Sequence, residues 1–472
     1  MELVCIKSVV LFFWFFSFAR AKEKKGPRSF VHSIHQKLLM LHKRLIAIAF
    51  SSILFLPTIR LSAQDIPINY DESKIPPYTL PDPLKTKDGK RITTSQQWEN
   101  QQRPAMLKLF ADNVYGRIPI AIGTGKPKNM RFKIYDVDSN ALQGKAIRKQ
   151  VTIYFTSGAD APSMDVLLYL PKPANKPVPV FIGLNFYGNQ TIHADTGIRL
   201  STRWVMNDEK LGLVNNRATE ASRGKDAGKW AVEEIIDRGY GLATAYYGDL
   251  EPDHPDGWKT AIRTTMKTEL SINENEWGAI GAWAWGLSRM MDYLQTDAAV
   301  DASKVVITGH SRLGKACLWA AANDQRFAVI VSNDSGEGGA ALSRRWFGET
   351  IERINTSFPH WFVAAYKRYD NHPELLPVDQ HILLAMVAPR PLYVASAADD
   401  AWADPKGEFL SAKNAEPVYA WFGKQGLDVA EMPPADHPVG ETIRYHIRTG
   451  KHDFTLYDWQ QYLDFADKQF GR

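Results

Sequence analysis

The spacing of apolar residues changes along this chain, and the change separates two kinds of strand. Residues 130–137, 146–155 and 164–170 alternate apolar and polar positions with polar turns between them, which is typical of antiparallel strands. From residue 178 onward the apolar runs become continuous and are followed by helical patterns, which indicates a parallel sheet covered on both faces. We therefore predict an α/β fold with a mostly parallel central sheet, in which the first strands along the chain are antiparallel.

With right-handed connections between the parallel strands, the predicted elements form one three-layer sandwich, in which helices cover both faces of a central sheet. The parallel strands are predicted at 178–185, 241–247, 305–309, 328–334 and 391–397, and helices at 98–115, 231–238, 279–294, 313–322 and 457–470. Residues 192–229 are polar and too long for an ordinary connection, so we expect an insertion over the carboxyl edge of the sheet. Residues 64–104 are rich in proline and predict an extended arm, which leaves 105–472 as the folded domain.

The first 63 residues have the composition of a leader. Lys43 and Arg44 precede a short apolar run that ends at a small-residue site, Leu61-Ser62-Ala63, so we interpret Met40 as the translation start and expect cleavage after Ala63. An uncleaved signal anchor is the alternative, but the run is short for a membrane span. We therefore expect an exported protein, periplasmic or secreted, whose mature form has no membrane segment.

Composition excludes some functions once this leader is set aside. The formal charge of +5 becomes −3, because residues after 63 hold 47 basic and 50 acidic side chains. Nothing in that balance indicates a nucleic-acid partner. Cleavage would also leave Cys317 as the single cysteine, so no intrachain disulfide is expected.

Candidate chemistry centres on residues 305–322, where an apolar strand runs into a glycine turn and then a helix pattern. Ser311 stands at the corner, which is the position of the nucleophile in α/β hydrolases. Gly309 and Gly314 make the motif G-x-S-x-x-G, a variant of the usual G-x-S-x-G. The alternative is that Ser311 only caps a helix beginning near Leu313.

A serine nucleophile needs a base and an acid, and both are expected beyond the carboxyl ends of later strands. His452 combines a preceding glycine turn with a following helix, and His437 is the alternative base. Asp400 and Asp334 each follow a predicted strand and are the candidate acids. The alternative interpretation of Asp334 is that it is only a turn residue. For Asp399, the neighbour of Asp400, the alternative is that it caps a helix.

Five segments resemble the glucuronoyl esterases, carbohydrate esterase family 15, in its bacterial branch. They lie in this order along the chain: GHSRLGK (309–315), SGEGGAALSRR (335–345), GET (348–350), DAWADPKGEF (400–409) and GKHDF (450–454). The family's elbow is G-C-S-R-x-G-K, so Arg312 after the serine is expected, whereas His310 replaces the usual cysteine. The resemblance covers roughly residues 90–470 and implies an α/β-hydrolase fold.

The resemblance also implies roles for individual residues. Ser311 would be the nucleophile, His452 the base, and Arg312 a partner of the oxyanion. The acid would be Asp400, with Asp334 able to share its task. The positions that grip the glucuronate match Lys315, Glu349 and Trp402; their alternatives are a surface lysine for Lys315 and a core ring for Trp402.

The implied activity is a two-step serine esterase that cleaves the ester between 4-O-methyl-glucuronate of glucuronoxylan and lignin alcohols. No metal or organic cofactor is expected, and the protein is expected to be a monomer. Two alternatives stay open: an acetyl xylan or feruloyl esterase on the same scaffold, and a binding protein that has lost its chemistry. The presence of Ser311, His452 and two candidate acids argues against the second.

Overall fold

The central sheet has the mixed topology that the apolar spacing predicts. The structure is a computed structural model that describes residues 68–119, 125–173 and 176–472, so the predictions for the leader lie outside the described residues. The strands are β1 Arg131–Ala141, β2 Ala146–Tyr154, β3 Ser163–Pro171, β4 Val178–Asn185, β5 Leu213–Val214, β6 Arg217–Ala218, β7 Gly241–Tyr246, β8 Val300–His310, β9 Val329–Asn333, β10 Leu392–Ala397, β11 Val439–Gly440 and β12 Ile443–Arg448. Within the described residues, ten of them form one sheet in the order β1-β2-β3-β7-β4-β8-β9-β10-β12-β11.

Strand pairing is antiparallel at both edges of this sheet and parallel between them. From β7 to β12 the neighbours run parallel, while β1, β2 and β3 pair antiparallel and join the parallel part through β7. The predicted α/β class with a mostly parallel sheet is confirmed. The sequence prediction missed β12, which pairs in parallel with β10 along six residues, and the short edge strand β11.

Helices cover both faces of the sheet. They are α1 Ser95–Gln97, α2 Arg103–Phe110, α3 Val232–Asp237, α4 Ile262–Thr265, α5 Lys267–Leu270, α6 Ala279–Leu294, α7 Arg312–Asn323, α8 Ile351–Ser357, α9 Gln380–Ala385, α10 Pro405–Trp421 and α11 Leu456–Phe470. One apolar cluster includes Trp283 and Trp319 of α6 and α7, and a second includes Trp459 of α11 with Phe181 of β4. The central strands are therefore buried on both sides, which explains their continuous apolar sequences.

The helix predicted at 98–115 is present and begins three residues earlier, at Ser95. Helical turns begin at Ser95, inside the segment expected to be an extended arm, and continue through two π-helical stretches to Tyr115. Thr94 caps the first turn by accepting a hydrogen bond from the backbone N–H of Gln97, and Trp98 is fully buried. The arm therefore ends about ten residues before residue 104. In the part of the chain that the structure describes, every helix is too short or too polar to cross a membrane.

Candidate active site

Ser311 lies in a tight turn between β8 and α7. Its backbone has φ 55° and ψ −131°, a conformation that side-chain-bearing residues adopt rarely and that marks a strained turn. The N–H of Ser311 donates to the carbonyl of Asn333 at 2.9 Å, which fixes the turn to the next strand. A Cβ on Gly309 would lie 2.2 Å from the carbonyl oxygen of Leu313, so the turn closes too tightly for any side chain there.

The strand, turn and helix predicted around Ser311 are thus present. Ser311 does occupy the N-cap position of α7, which begins at Arg312, but within the described part of the chain its hydroxyl makes no cap hydrogen bond, so capping does not account for its side chain. The hydroxyl is therefore available for other chemistry.

His452 and Asp400 meet because β12 and β10 are parallel neighbours. Asp400 follows β10 and is buried, and His452 follows β12 in the connection to α11, with 39% of its side chain exposed. The Nδ1 atom of His452 lies 2.6 Å from Oδ2 of Asp400. A proton held on Nδ1 by the carboxylate leaves Nε2 free to accept one, which is the tautomer that a general base needs. The alternative base, His437, is exposed and its Nδ1 contacts the carbonyl of Ala435 instead.

Asp334 also lies beside His452, but its contacts differ. One ligand atom each from Asp334, Asp400 and His452 lie within 4.8 Å of one another. Oδ2 of Asp334 accepts from Nη2 of Arg448 and from the N–H of Asp453, both at 3.3 Å. Burial, with the nearby carboxylates of Glu408 and Asp400, raises the pKa of Asp334 well above its usual range, against the charge of Arg448. The close contact to the imidazole therefore belongs to Asp400.

The same three side chains have the residue types of a metal-ligand set. Nδ1 of His452 is already paired with Asp400, and Asp334 already accepts two hydrogen bonds. These contacts match an acid–base pair better than an open ligand cluster.

Arg312 projects from the elbow onto an anchored carboxylate. Its Nη1 contacts Oδ2 of Asp253, while Oδ1 of Asp253 accepts from the indole N–H of Trp361 and lies 2.7 Å from Nε2 of His360. Burial opposes the charge of Asp253, but the hydrogen bond with His360 and the charge of Arg312 prevail and lower its pKa to about 2. The guanidinium carbon also lies 4.8 Å from the centre of the Trp361 ring. Asp253 therefore fixes an arginine beside the nucleophile.

Sequence reasoning did not identify Asp253, His360 or Trp361 as part of the site. More than 100 residues separate Asp253 from the two partners that hold it. The only sequence signal was the acidic segment 249–256 at the end of a predicted parallel strand.

Lys315 and Glu349 form a buried polar pair one helical turn from Ser311. Nζ of Lys315 donates to the carbonyl of Ser335 at 2.5 Å and lies 3.8 Å from Oε2 of Glu349. The surface-lysine alternative is wrong, since 3% of Lys315 is exposed. Burial lowers the pKa of Lys315 and raises that of Glu349, and the 3.8 Å separation exceeds a hydrogen bond. Both groups can therefore take a further polar partner.

Trp402 lies next to this pair, because its carbonyl accepts from the N–H of Glu349 at 2.9 Å. Its side chain is half-buried rather than part of the core. An aromatic ring with one exposed portion beside a lysine and a glutamate suits contact with a sugar.

A buried glutamate holds the loop that carries these contacts. Oε1 of Glu408 accepts from the N–H groups of Ser335 and Gly336, and Oε2 lies 2.5 Å from the hydroxyl oxygen of Ser396. Burial raises the pKa of Glu408 to about 8. A protonated Glu408 therefore ties the loop after β9 to β10.

His310, which departs from the family elbow, packs against the candidate base. Its ring centre lies 4.5 Å from that of His452, and its Nδ1 lies 2.6 Å from Oδ1 of Asn333. Burial and the adjacent His452 lower the pKa of His310 well below its usual value. His310 is thus an uncharged ring that supports the position of His452.

Comparisons with known proteins agree with this architecture. Residues 268–423 match the family model described as glucuronyl esterase, fungi. Carbohydrate esterase MZ0003, from an unknown prokaryotic organism, is 47% identical over 427 residues, which cover 90% of this chain and 97% of that protein. The 4-O-methyl-glucuronoyl methylesterase of Schizophyllum commune is 27% identical over 375 residues, 77% of this chain and 78% of that protein.

The solved structures extend the likeness to three dimensions and confirm the α/β-hydrolase prediction. The structure of the glucuronoyl esterase from Solibacter usitatus is 48% identical, superposes with a TM-score of 0.78, and covers 84% of this chain and 100% of that chain. With a relative this similar along nearly all of its length, the chain belongs to the glucuronoyl esterases, carbohydrate esterase family 15, and is a carboxylic ester hydrolase.

Proposed function

We propose that the protein hydrolyses the ester between 4-O-methyl-glucuronic acid of glucuronoxylan and lignin alcohols, with Ser311 as nucleophile, His452 as base and Asp400 as the orienting acid. The single observation that carries the proposal is the 2.6 Å contact between His452 and Asp400, at the same sheet edge as a serine in an elbow turn. The names of the related methylesterases support the substrate.

In the first step, Nε2 of His452 takes the proton of the Ser311 hydroxyl while the oxygen forms a bond to the ester carbonyl carbon. The resulting oxyanion lies against elbow N–H groups and the guanidinium of Arg312, whose position Asp253 holds. The bond to the alcohol then breaks, and the alcohol leaves with the proton from His452. An acyl group remains on Ser311.

In the second step, His452 takes a proton from water, whose oxygen attacks the acyl carbon. Collapse of the second tetrahedral intermediate returns the proton to Ser311 and releases the uronic acid. Asp400 stabilises the imidazolium that forms in each step. Asp334, held by Arg448, lies within 4.8 Å of the same imidazole and packs beside it, while Asp400 makes the contact to Nδ1.

The sugar is recognised through its hydroxyl groups, because its carboxyl group is esterified. Lys315 is a donor and Glu349 an acceptor for such groups, and Trp402 offers a ring face. The buried pair is 3.8 Å apart, which leaves room for a hydroxyl to accept from one and donate to the other.

The location and size of the active protein are part of the same proposal. The leader at residues 1–63 is removed on export, and the mature chain from Gln64 acts as a monomer in the periplasm or outside the cell. Its partner is the polysaccharide ester rather than nucleic acid or a membrane. The short apolar run and small-residue site before Gln64 support this.

The experiment that tests the proposed substrate compares three esters side by side. We expect a kcat/KM for a methyl ester of 4-O-methyl-glucuronate at least about a hundredfold above those for acetylated xylan and methyl ferulate, because only the uronate places its hydroxyls against Lys315 and Glu349. A higher kcat/KM for acetylated xylan or methyl ferulate would favour the alternative esterase and contradict the proposal.

A further inference from the structure

A second cavity lies at the same edge of the sheet, outside the catalytic residues. It has a volume of about 560 Å³, and we call it the Tyr135 cavity. Its lining includes Tyr135, Tyr154 and Asp165 of β1 to β3. Residues 199–203 of the insertion also line it, as do Tyr246 and Asp249 at the end of β7. The insertion therefore builds part of a binding surface.

The charges of this cavity are paired one to one. Nη1 of Arg199 lies 3.4 Å from Oδ2 of Asp165, and Nε of Arg203 lies 3.6 Å from Oδ1 of Asp249. Arg203 also donates to the hydroxyl of Ser163 at 3.1 Å. Each arginine therefore faces a carboxylate, and burial raises the pKa of Asp249 to about 7 against the charge of Arg203. The cavity carries at most a small positive charge near neutral pH and offers no strong charge to a highly charged ligand, which favours an uncharged one.

The same groups offer many hydrogen bonds on a partly aromatic surface. The two guanidinium groups are about half exposed, so they keep donors for a ligand, and the carboxylate of Asp165 is one-third exposed. The guanidinium of Arg199 lies 3.4 Å from the centre of the Tyr135 ring, and the ring of Tyr154 is also half-buried. Arg131 likewise lies 3.8 Å from the centre of the Tyr154 ring, so each ring has an arginine stacked on one face. The match to a sugar therefore rests mainly on the adjacent donors and acceptors, which suit its neighbouring hydroxyls.

We propose that the Tyr135 cavity binds uncharged pyranose units of a plant polysaccharide, as an accessory subsite separate from the glucuronate site. The volume lies within the usual range for small-molecule sites. This proposal rests on the proposed function, because an accessory subsite is useful to an enzyme whose ester substrate is attached to a polysaccharide.

Two short segments connect the cavity to the catalytic machinery. Tyr246 lines the cavity, and the next residue, Tyr247, donates through its hydroxyl to Asp253, the carboxylate that holds Arg312. Asn189 lines it as well, from the loop whose Phe186 ring centre lies 5.8 Å from the Arg312 guanidinium. The cavity and the residues around Arg312 therefore share two backbone segments at the carboxyl edge of the sheet.

The binding experiment uses the unmodified protein and three neutral probes, xylohexaose, cellohexaose and mannohexaose, titrated by calorimetry. We expect one of them to bind, and the double variant R199A/R203A to bind it at least about tenfold more weakly. The matched control is R472A, which removes another arginine stacked on a tyrosine, Tyr240, far from the cavity in sequence. Which oligosaccharide binds identifies the polymer.

The kinetic experiment separates failure of this proposal from failure of the proposed function. R199A/R203A should hydrolyse the small methyl ester at the wild-type rate but lose about three- to tenfold in kcat/KM on the polymeric ester. An inactive wild type on the small ester would refute the proposed function instead. Unchanged binding and unchanged polymer kinetics in the double variant, or equal losses on both substrates, would overturn the accessory subsite. Crystals soaked with the bound oligosaccharide must also show it in the Tyr135 cavity, and density only elsewhere would overturn it too.

Discussion

Asp400 and Asp334 are both close to His452, and their different contacts lead to different expected effects of substitution. Asp400 contacts Nδ1 at 2.6 Å, while Asp334 is held by Arg448 and the N–H of Asp453. We expect Asp400→Asn to lower kcat by up to about four orders of magnitude, because an amide stabilises the wrong tautomer, and Asp334→Asn to cost less than about tenfold.

Turnover of the methyl glucuronate ester decides between the acids, with Asp399→Asn as the matched control because Asp399 is exposed beside Asp400. If the two carboxylates share the imidazole, each single substitution lowers turnover only partly. The double substitution then lowers turnover by far more than the product of the two single losses. A severe loss confined to Asp334→Asn would show that Asp400 is not the orienting acid.

At the scale of residues, the sequence predicts the functional side chains that lie in motifs. It misses the side chains that position them. Ser311, His452 and Lys315 follow predicted strands or fall within family segments. Asp253 and His360 come from parts of the chain 107 residues apart and have no shared spacing. Their partnership depends on tertiary packing, which no local pattern encodes.

At the scale of elements, the elbow depends on the close approach of β8 and α7. A Cβ on Gly309 would lie 2.2 Å from the carbonyl oxygen of Leu313, so Gly309→Ala must displace the turn that holds Ser311. We expect a loss of about 1–3 kcal/mol in the free energy of unfolding, as for other overpacked sites, together with reduced kcat. Gly228→Ala is the control, since its Cβ would meet nothing within 4 Å. Urea unfolding and turnover of both variants check this. A Gly309→Ala variant with the stability and kcat of the wild type would contradict it.

The loop after β9 depends on a carboxyl group that is protonated in the fold. Burial raises the pKa of Glu408 to about 8 from an ordinary value of 4.5, so between these values the folded state keeps a proton that the unfolded chain releases. The contribution of Glu408 to stability is therefore greatest below pH 4.5 and is lost as the pH rises toward 8.

Glu408→Gln should remove this dependence while keeping the contacts, because a glutamine oxygen accepts from Ser335 and Gly336 and its amide donates to Ser396. Relative to wild type, we expect the variant to gain stability on going from pH 5 to pH 8, by an amount on the order of a few kcal/mol. Urea midpoints at pH 5, 6.5 and 8 measure it. Parallel pH profiles for the two proteins would mean that Glu408 is ionised in the folded state.

Two of the elements that the sequence did not predict, β12 and α10, share a physical cause, which is buried polarity. β12 carries His446 and Arg448, both buried against Asp458 of α11 through contacts of 3.0 and 2.9 Å, so its apolar run is interrupted. α10 begins with a proline and contains Pro417 and the buried Glu408. β4 and α6, whose sequences are mostly apolar, match their predicted bounds.

At the scale of the whole molecule, the arrangement of the sheet follows from the change in apolar spacing near residue 178. The position of residues 199–203, which line the Tyr135 cavity, cannot be predicted in this way, because that insertion is polar and irregular and has no periodicity to interpret. Its position is set by contacts such as Arg203 with Ser163.

Export also concerns the molecule as a whole. We expect protein secreted from its native host to begin at Gln64, because cleavage after Ala63 follows the small-residue pattern of signal peptides. N-terminal sequencing measures this directly. Secreted protein that begins at Met1 or Met40 would contradict the cleavage.

The central claim is that one serine carries the ester chemistry, and the turnover of Ser311→Ala on a methyl glucuronate ester tests it most directly. The substitution removes the nucleophilic oxygen and adds no volume, so melting of the variant should match wild type. We predict that kcat falls by about five to six orders of magnitude, as when a triad nucleophile is removed. A folded variant with kcat within about tenfold of wild type would contradict the assignment of Ser311 as the nucleophile.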